Sequence, residues 1–252
     1  MKKTLLHEAT ARPAVRHDKK RGGVKQVVNR QLLLVLGLAS LSLGLLAGTP
    51  SAEEILSRVR LQQAQQQLDL QGQLRTDGTI IPFRITQTGP VIRYTFANPP
   101  EVIQLKLGEN GSRLDLVHEN SVSKFSASRL DDRISGTAVT YGDLALKFLY
   151  WPNAEVLGAD TLRSRNCWKL RLYPPDKSAP YAAVLLWVDK ESGAIMRMES
   201  YDQKGVLTKR FEVVSAQKIE GRWFLKQMRV EEMQPGTGKV QSRTYLEIKK
   251  PG

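Results

Sequence analysis

Histidine is the residue that most limits the catalytic chemistry open to this chain. The sequence holds three histidines, and His7 and His17 lie in a basic N-terminal segment, so the body of the chain has only His118. A single histidine excludes a metal site built on two histidines, and a Ser-His-Asp triad would have to use His118. No G-x-S-x-G nucleophile elbow precedes it. We therefore expect His118 to be structural.

The other polar groups give no catalytic arrangement either. Asp131–Asp132 and Glu231–Glu232 are adjacent in sequence, and adjacent strand residues point to opposite faces, so neither pair forms an acid–base dyad. Gly238–Lys239 lacks the strand–loop–helix setting of a phosphate-binding loop. Cys167 is the single cysteine, which excludes an intramolecular disulfide and favours a small buried residue. We expect no enzyme, no cofactor and no metal; the enzymatic alternative is a hydrolase using His118 with a nearby serine or carboxylate.

The chemistry that the sequence favours is non-covalent binding of an apolar ligand. The segment Tyr181–Asp189 reads YAAVLLWVD and is apolar at nearly every position. A strand that is apolar on both faces must be covered on both, so we predict a helix over one face and side chains or a ligand over the other. Four tryptophans, with several Met and Phe side chains, suit the lining of such a cavity. A dry core filled by the same residues is the alternative.

The first 52 residues have the pattern of an export signal. Residues 1–31 hold nine Lys or Arg and two acids, so they carry 9 − 2 = +7 of the net charge of +13. Residues 32–47 are apolar, too few for a membrane-spanning helix of roughly 20 residues, and small residues follow. We predict a signal peptide over 1–52, cleaved after Ala52 or after Gly48, with an uncleaved anchor as the alternative. The protein is then exported and periplasmic, either soluble or tethered by residues 32–47, and we expect no nucleic-acid partner.

Strand patterns dominate the body, residues 53–252, which we predict to be a single domain. Residues 53–67 favour one helix, and residues 143–149 suit about two helical turns. The turn signals at Asp77–Gly78 and Glu109–Gly111 separate runs with a period of two residues. Residues 119–139 show no clear pattern. The predicted class is α+β, mainly antiparallel β.

The order of these elements resembles the bacterial outer-membrane lipoprotein-sorting family, the periplasmic carriers similar to LolA and LolB. The resemblance is strongest over residues 141–248. Its markers are the Tyr141–Asp143 turn before Phe148 and Trp151, the single Cys167, the Trp187–Asp189 strand end, Tyr201–Asp202, and Gly221–Trp223.

The resemblance implies an incomplete, half-open β-barrel of about ten or eleven strands, covered by a few helices around a hydrophobic cavity. It implies a periplasmic carrier that binds the acyl chains of lipoproteins or lipids and helps deliver them to the outer membrane. Membrane-bound donor and acceptor proteins would be its partners. Burial of acyl chains, at about 0.8 kcal/mol per methylene, needs no catalytic residue. The alternative is an envelope-stress sensor or partner-binding module of the same fold.

The candidate cavity residues follow from apolar character and strand position. A slip of one residue in register would move each candidate to the opposite face of its strand. The candidates are Leu70, Phe83, Tyr94, Phe96, Phe148, Trp151, Trp168, Leu185, Trp187, Met196, Met198 and Phe211.

Overall fold

The computed structural model describes residues 48–119, 121–176, 179–219 and 221–249. Residues 48–252 form one compact unit. The predicted signal peptide lies almost entirely outside the described residues, so its cleavage stays a prediction. Within the described ranges, no helix is long and apolar enough to cross a membrane.

One antiparallel sheet of thirteen strands makes up most of this unit. Its order is β6-β5-β4-β3-β2-β1-β13-β12-β11-β10-β9-β8-β7, so β6 and β7 are the two edges and the sheet does not close. The strands are β1 (Gln67–Thr76), β2 (Thr79–Thr88), β3 (Val91–Ala97), β4 (Pro100–Leu107), β5 (Ser112–His118), β6 (Ser121–Lys124), β7 (Asn153–Leu162), β8 (Arg165–Tyr173), β9 (Ala183–Asp189), β10 (Ile195–Tyr201), β11 (Leu207–Ile219), β12 (Arg222–Met233) and β13 (Val240–Ile248).

The N-terminal helix, α1 (Ala52–Ala64), begins at a capping box. Ser51 Oγ accepts a hydrogen bond from the Glu54 backbone N–H at 3.2 Å, and the Glu54 carboxylate accepts one from the Ser51 N–H at 2.6 Å. These bonds satisfy two backbone donors that the first turn leaves free. Ile55, Leu56 and Val59 are buried on one side of this helix, in a cluster with residues of the sheet.

A long connection joins the two edge strands and crosses one face of the sheet. We call residues 125–151 the crossing segment. It contains the short helix α2 (Tyr141–Leu144) and the 3₁₀ turns Ala127–Arg129, Ile134–Gly136 and Lys147–Tyr150. The sheet face that contacts α1 and the crossing segment is called the covered face, and the opposite one the outer face.

The predicted class, an incomplete antiparallel barrel with few helices, is confirmed, and the details differ in three places. The sheet has thirteen strands because β6 and β7 add to those expected. The helix expected over 143–149 is instead α2 and a 3₁₀ turn, separated by Leu146, whose φ of 51° breaks the helical path. The helix expected over 53–67 ends at Ala64 because Gln67 already pairs with Thr88.

Candidate functional site: the covered face of the sheet

The two apolar faces of β9 have different coverings. Val184, Leu186 and Val188 belong to the same buried cluster as Ile55, Leu56 and Val59 of α1. On the outer face, Leu185 and Trp187 pack with Leu162, Cys167 and Met196 in a small separate cluster. The helix predicted over one face is therefore present, and side chains cover the other face.

The outer-face cluster around Trp187 is closed by polar and charged groups. The Trp187 indole N–H donates to the Asp160 carboxylate at 2.8 Å. Lys169 Nζ lies 4.8 Å from the Trp187 ring centroid, and Arg197 Cζ lies 5.3 Å from it. Two cations against one ring make cation–π contacts that stabilise this packing. Trp187 itself is buried, with only 4% of its surface exposed.

The structure brings nine of the twelve candidate residues together at the covered face. Two apolar clusters meet there, and Leu146 and Phe211 pack against both. Leu185, Trp187 and Met196 lie instead in the outer-face cluster. Contact between the nine and a ligand stays a prediction. The nine are Leu70, Phe83, Tyr94, Phe96, Phe148, Trp151, Trp168, Met198 and Phe211.

A buried ion pair fixes the crossing segment to the middle of the sheet. Lys209 Nζ of β11 lies 2.7 Å from the Asp143 carboxylate of α2, and their side chains are 7% and 4% exposed. Asp143 also accepts hydrogen bonds from the Tyr181 hydroxyl at 3.1 Å and from the Thr140 N–H at 2.8 Å. Burial, with Asp143 nearby, raises the pKa of Tyr181. The two charged groups are thus paired with each other, and the Tyr181 hydroxyl and the Thr140 N–H are hydrogen-bonded, as burial of polar groups requires.

Further polar contacts hold the crossing segment to the covered face. The Tyr141 hydroxyl donates to the Glu101 carboxylate of β4, which also accepts from Arg129 at 3.1 Å. Burial, together with this hydrogen bond, raises the pKa of Tyr141 to about 12. Nearer the centre, the Ala138 N–H donates to Thr244 Oγ1 of β13 at 2.9 Å. The segment is therefore pinned at separate points, with apolar packing between them.

The described cavities do not provide space for a lipid beneath this cover. A cavity of about 20 Å³ lies between α1 and the β9–β10 turn, lined in part by Ile55, Trp168 and Gly193, and it has room for about one water. A groove of about 390 Å³ has polar walls that include Gln73 and Glu247. These two are cross-strand neighbours on the outer face. Ligand sites are usually 300–1,000 Å³ and mostly apolar, and neither of these two cavities combines that size with apolar walls.

Sequence reasoning missed Lys209, Asp143 and Tyr181 as a connected group. A signal was present in β11, where Lys209 occupies the same alternating phase as Leu207 and Phe211. A charge at an apolar phase of a strand indicates a buried partner. The histidine singled out above, His118, is exposed at the end of β5. Within the described ranges, no group of three or more His, Cys, Asp or Glu is placed to hold a metal.

Comparisons with known proteins bear on the fold and the family. A protein-family model described as "Uncharacterized protein" matches residues 118–251. A search of curated proteins gives no match. Among solved structures, an outer membrane lipoprotein-sorting protein domain from Vibrio parahaemolyticus matches with a TM-score of 0.60 and 16% identity, covering 79% of this chain and 90% of that chain.

Two other solved structures give the same picture. A DUF1329 family protein from Desulfovibrio piger matches with a TM-score of 0.58 and 20% identity, over 78% of this chain and 89% of that chain. A LolA superfamily protein from Nitrosomonas europaea matches with a TM-score of 0.55 and 18% identity, over 80% of this chain and 93% of that chain. At these identities the similarity establishes the fold, which is the one that the sequence resemblance predicted.

Proposed function

We propose, from the premise that the chain belongs to the family matched over residues 118–251 and has the LolA-superfamily fold, that it binds acyl chains against the covered face. The observation that carries the proposal is that a segment of the chain, and not another strand or sheet, covers this apolar face. The covered face is apolar over strands on both sides of the β1–β13 pair, and a separate chain segment occupies it. A lipid chain offers the same apolar contacts as that segment.

Displacement of the crossing segment is energetically reasonable for a long acyl chain. Burying about ten methylenes contributes roughly 8 kcal/mol before the cost of moving the cover. That cost includes exposure of Phe125, Ile134 and Val139, which belong to the segment and are buried in the apolar cluster of the covered face. Part of this loss is offset because those side chains can pack on the ligand. The net affinity is then moderate, as a carrier that must release its cargo requires.

The finer role that we propose is that of a periplasmic carrier for lipoproteins or lipids. The predicted signal peptide supports export, and the similar structures named for lipoprotein sorting support this class of cargo. Membrane-bound donor and acceptor proteins would be the partners. The role needs no catalytic step, so we expect His118→Ala to retain full ligand binding, measured with a fluorescent fatty acid.

The proposal is tested by native mass spectrometry of residues 49–252, purified from a periplasmic fraction without detergent. This chain keeps Ser51 and its capping box. We expect a mass excess that extracts into organic solvent as acylated species. A bare mass in repeated preparations, with no uptake of added lipid, would contradict acyl-chain binding.

A matched pair of methionines in β10 tests where the ligand lies. Met198 is in a covered-face cluster and Met196 is in the outer-face cluster, because the register shifts between Ile195 and Arg197. We expect Met198→Gln to weaken binding of a fluorescent fatty acid at least tenfold. The glutamine amide would be buried against the acyl chain without a hydrogen-bond partner. Met196→Gln should change it less than twofold. Equal effects of the two changes would exclude the covered face as the site.

The open edge of the sheet favours a second candidate function, binding of a partner protein. β7 is a ten-residue edge strand, and Leu157 in it is exposed. An extended segment of a partner could pair with this edge through backbone hydrogen bonds. A photo-crosslinking side chain at Leu157 would capture that partner in the periplasm. Absence of any crosslinked protein would remove this candidate.

A further inference from the structure

We propose that the tip of the β11–β12 hairpin docks on the surface of an anionic lipid bilayer, with Trp223 in the headgroup region. We call the described residues 213–219 and 221–226 the basic hairpin. Its function would be to bring the protein to a membrane, which is a separate property from binding acyl chains at the covered face. The inference therefore goes beyond the proposed function and can fail independently of it.

The basic hairpin extends past the strands on either side of it. β10 pairs with β11 only as far as Glu212, and β13 pairs with β12 only from Gln227 onward. Between these limits and the Ile219↔Arg222 pair, β11 and β12 pair with each other and with no third described strand. This two-stranded ribbon therefore extends beyond the ends of β10 and β13, and Trp223 lies in the part of the sheet that has no further described neighbouring strand.

The basic hairpin is nevertheless anchored on one side, as far as the last residue of β11. Ile219 is buried in the larger covered-face cluster, and Phe224 packs against that cluster. The Gln217 side-chain amide donates to the Ile248 carbonyl of β13 at 3.1 Å. These contacts fix the direction of the ribbon, so the side chains on its other side are held outward.

Trp223 is the most exposed tryptophan of the chain. Its side chain is 72% exposed, whereas Trp151 is 9% and Trp187 is 4% exposed. A tryptophan has an apolar body and one N–H donor, and this combination is stable at a membrane–water interface. Its cross-strand neighbour is Lys218, whose ammonium would lie at the level of the lipid phosphates when the ring is inserted.

The cations of the basic hairpin lack the carboxylate partners that other cations of the sheet have. Elsewhere, Glu231 alone serves three arginines, with N···O distances of 2.8–3.6 Å. Among the described residues, no ion pair involves Lys218, Arg222 or Lys226.

With Glu220, the sequence of the hairpin carries 3 − 1 = +2. Lys218 lies opposite Trp223, whereas Arg222 is on the other side of the ribbon, with its Cζ 5.4 Å from the Phe224 ring centroid. Exposed cations without a carboxylate partner near an exposed aromatic ring are complementary to a negatively charged surface.

The small area of the tip favours a bilayer over a folded protein partner. A stable protein interface usually needs about 800 Å² on each side. The tip offers one large apolar side chain with charges around it, which is far less contact area. A bilayer needs no shape complementarity, because it accepts a single aromatic side chain and neutralises nearby cations with many phosphates.

Vesicle flotation with residues 49–252 tests the proposal. The probes are vesicles of phosphatidylcholine alone and vesicles in which phosphatidylglycerol replaces a third of it. We expect binding to the anionic vesicles only, weakened by added salt. Trp223→Ala should weaken binding at least tenfold. The double change Lys218→Gln/Arg222→Gln should weaken it roughly 25-fold, about fivefold for each charge removed.

Val240→Ala is the matched control, because Val240 is also an exposed apolar strand residue. It lies in β13, opposite Met233 at the other end of β12 from the basic hairpin. This variant should bind vesicles within twofold of the unchanged protein. Equal binding to both vesicle types, or equal binding by Trp223→Ala, overturns the proposal. Binding of the basic hairpin to a purified protein, with no binding to either type of vesicle, also overturns the proposal. Uptake of a fluorescent fatty acid by Trp223→Ala should be unchanged, which separates this result from the covered-face site.

Discussion

Replacement of Lys209 by methionine should both destabilise the fold and open the covered face. Methionine keeps an unbranched side chain of similar length, so the packing around it changes little, but the ammonium is lost. Asp143 then keeps only the hydrogen bonds from Tyr181 and Thr140 and has a buried charge with no cation. Removing one partner of a buried ion pair costs about 3–5 kcal/mol. That is a large part of a typical total stability of about 5–15 kcal/mol.

The double change Lys209→Met/Asp143→Asn should recover much of this loss. An asparagine at 143 carries no charge and can still accept the two hydrogen bonds through its carbonyl oxygen. We expect a coupling free energy of at least about 2 kcal/mol between the two positions, which is within the range for residues in contact. Urea unfolding, monitored by tryptophan fluorescence, gives the free energy of unfolding of the unchanged protein, the two single variants and the double variant.

The functional readout is the rate at which a fluorescent fatty acid binds. If opening of the crossing segment limits binding, a cost of opening lowered by about 3 kcal/mol speeds association roughly 100-fold. Arg210→Met is the control, because Arg210 is the next residue in β11 but lies on the outer face, 2.9 Å from Glu199. It should reduce stability without changing the association rate. Equal rates for Lys209→Met and Arg210→Met would refute the assignment of the ion pair as a pin for the cover.

Three further predictions follow from other described contacts. The hydrogen bond from Arg75 is the main cause that lowers the pKa of Glu247 from 4.5 to about 2. Its ionised form therefore stabilises the fold fully above about pH 5 and loses this effect as the pH falls through 2, so Glu247→Gln should show a shallower loss of stability in acid-range urea titrations. A Cβ at Gly72 would lie 2.6 Å from a backbone oxygen and from a phenyl ring. Gly72→Ala should therefore lower the free energy of unfolding, measured in urea, by about 1–3 kcal/mol. A Cβ at Gly111 would have nothing within 4 Å, so Gly111→Ala should lower it by less than about 0.5 kcal/mol. Burial raises the pKa of Cys167 to about 11, so iodoacetamide should label it at pH 8 only after the chain is unfolded, and rapid labelling of the native chain would contradict the packing.

The parts of the fold that the sequence predicted are those in which one strand face is buried and the other is exposed. β2 alternates in this way, and its apolar positions Ile81 and Phe83 are buried. The Glu109–Gly111 turn signal joins β4 and β5 as expected. Such positions depend on local pattern and turn chemistry alone, which a single sequence contains.

The parts that the sequence did not predict depend on tertiary contacts. All four residues of β6 are exposed, and β7 is an edge strand with a register shift between Val156 and Gly158, so neither has a clean period of two. The crossing segment is irregular because its apolar residues fit a surface formed by distant strands. The sequence also could not show on which face of β10 Met196 lies. Strict alternation would place Met196 and Met198 on the same face, but the register shift between Ile195 and Arg197 places them on opposite faces.

The pairing of β1 with β13 has a consequence for the order in which the protein folds. Strands β1 to β6 each pair with the next along the chain, and so do β7 to β13. Each set is a ribbon of sequential hairpins that can assemble by itself with low loop-closure cost. Among the described strands, the sets are paired with each other only through Gly72–Arg75 against Tyr245–Ile248, and β13 is the last described strand. We therefore expect strand pairing between the two ribbons to form only when β13 is in place. Before that step the unpaired edges of β1 and β12 would be open to pairing with other chains.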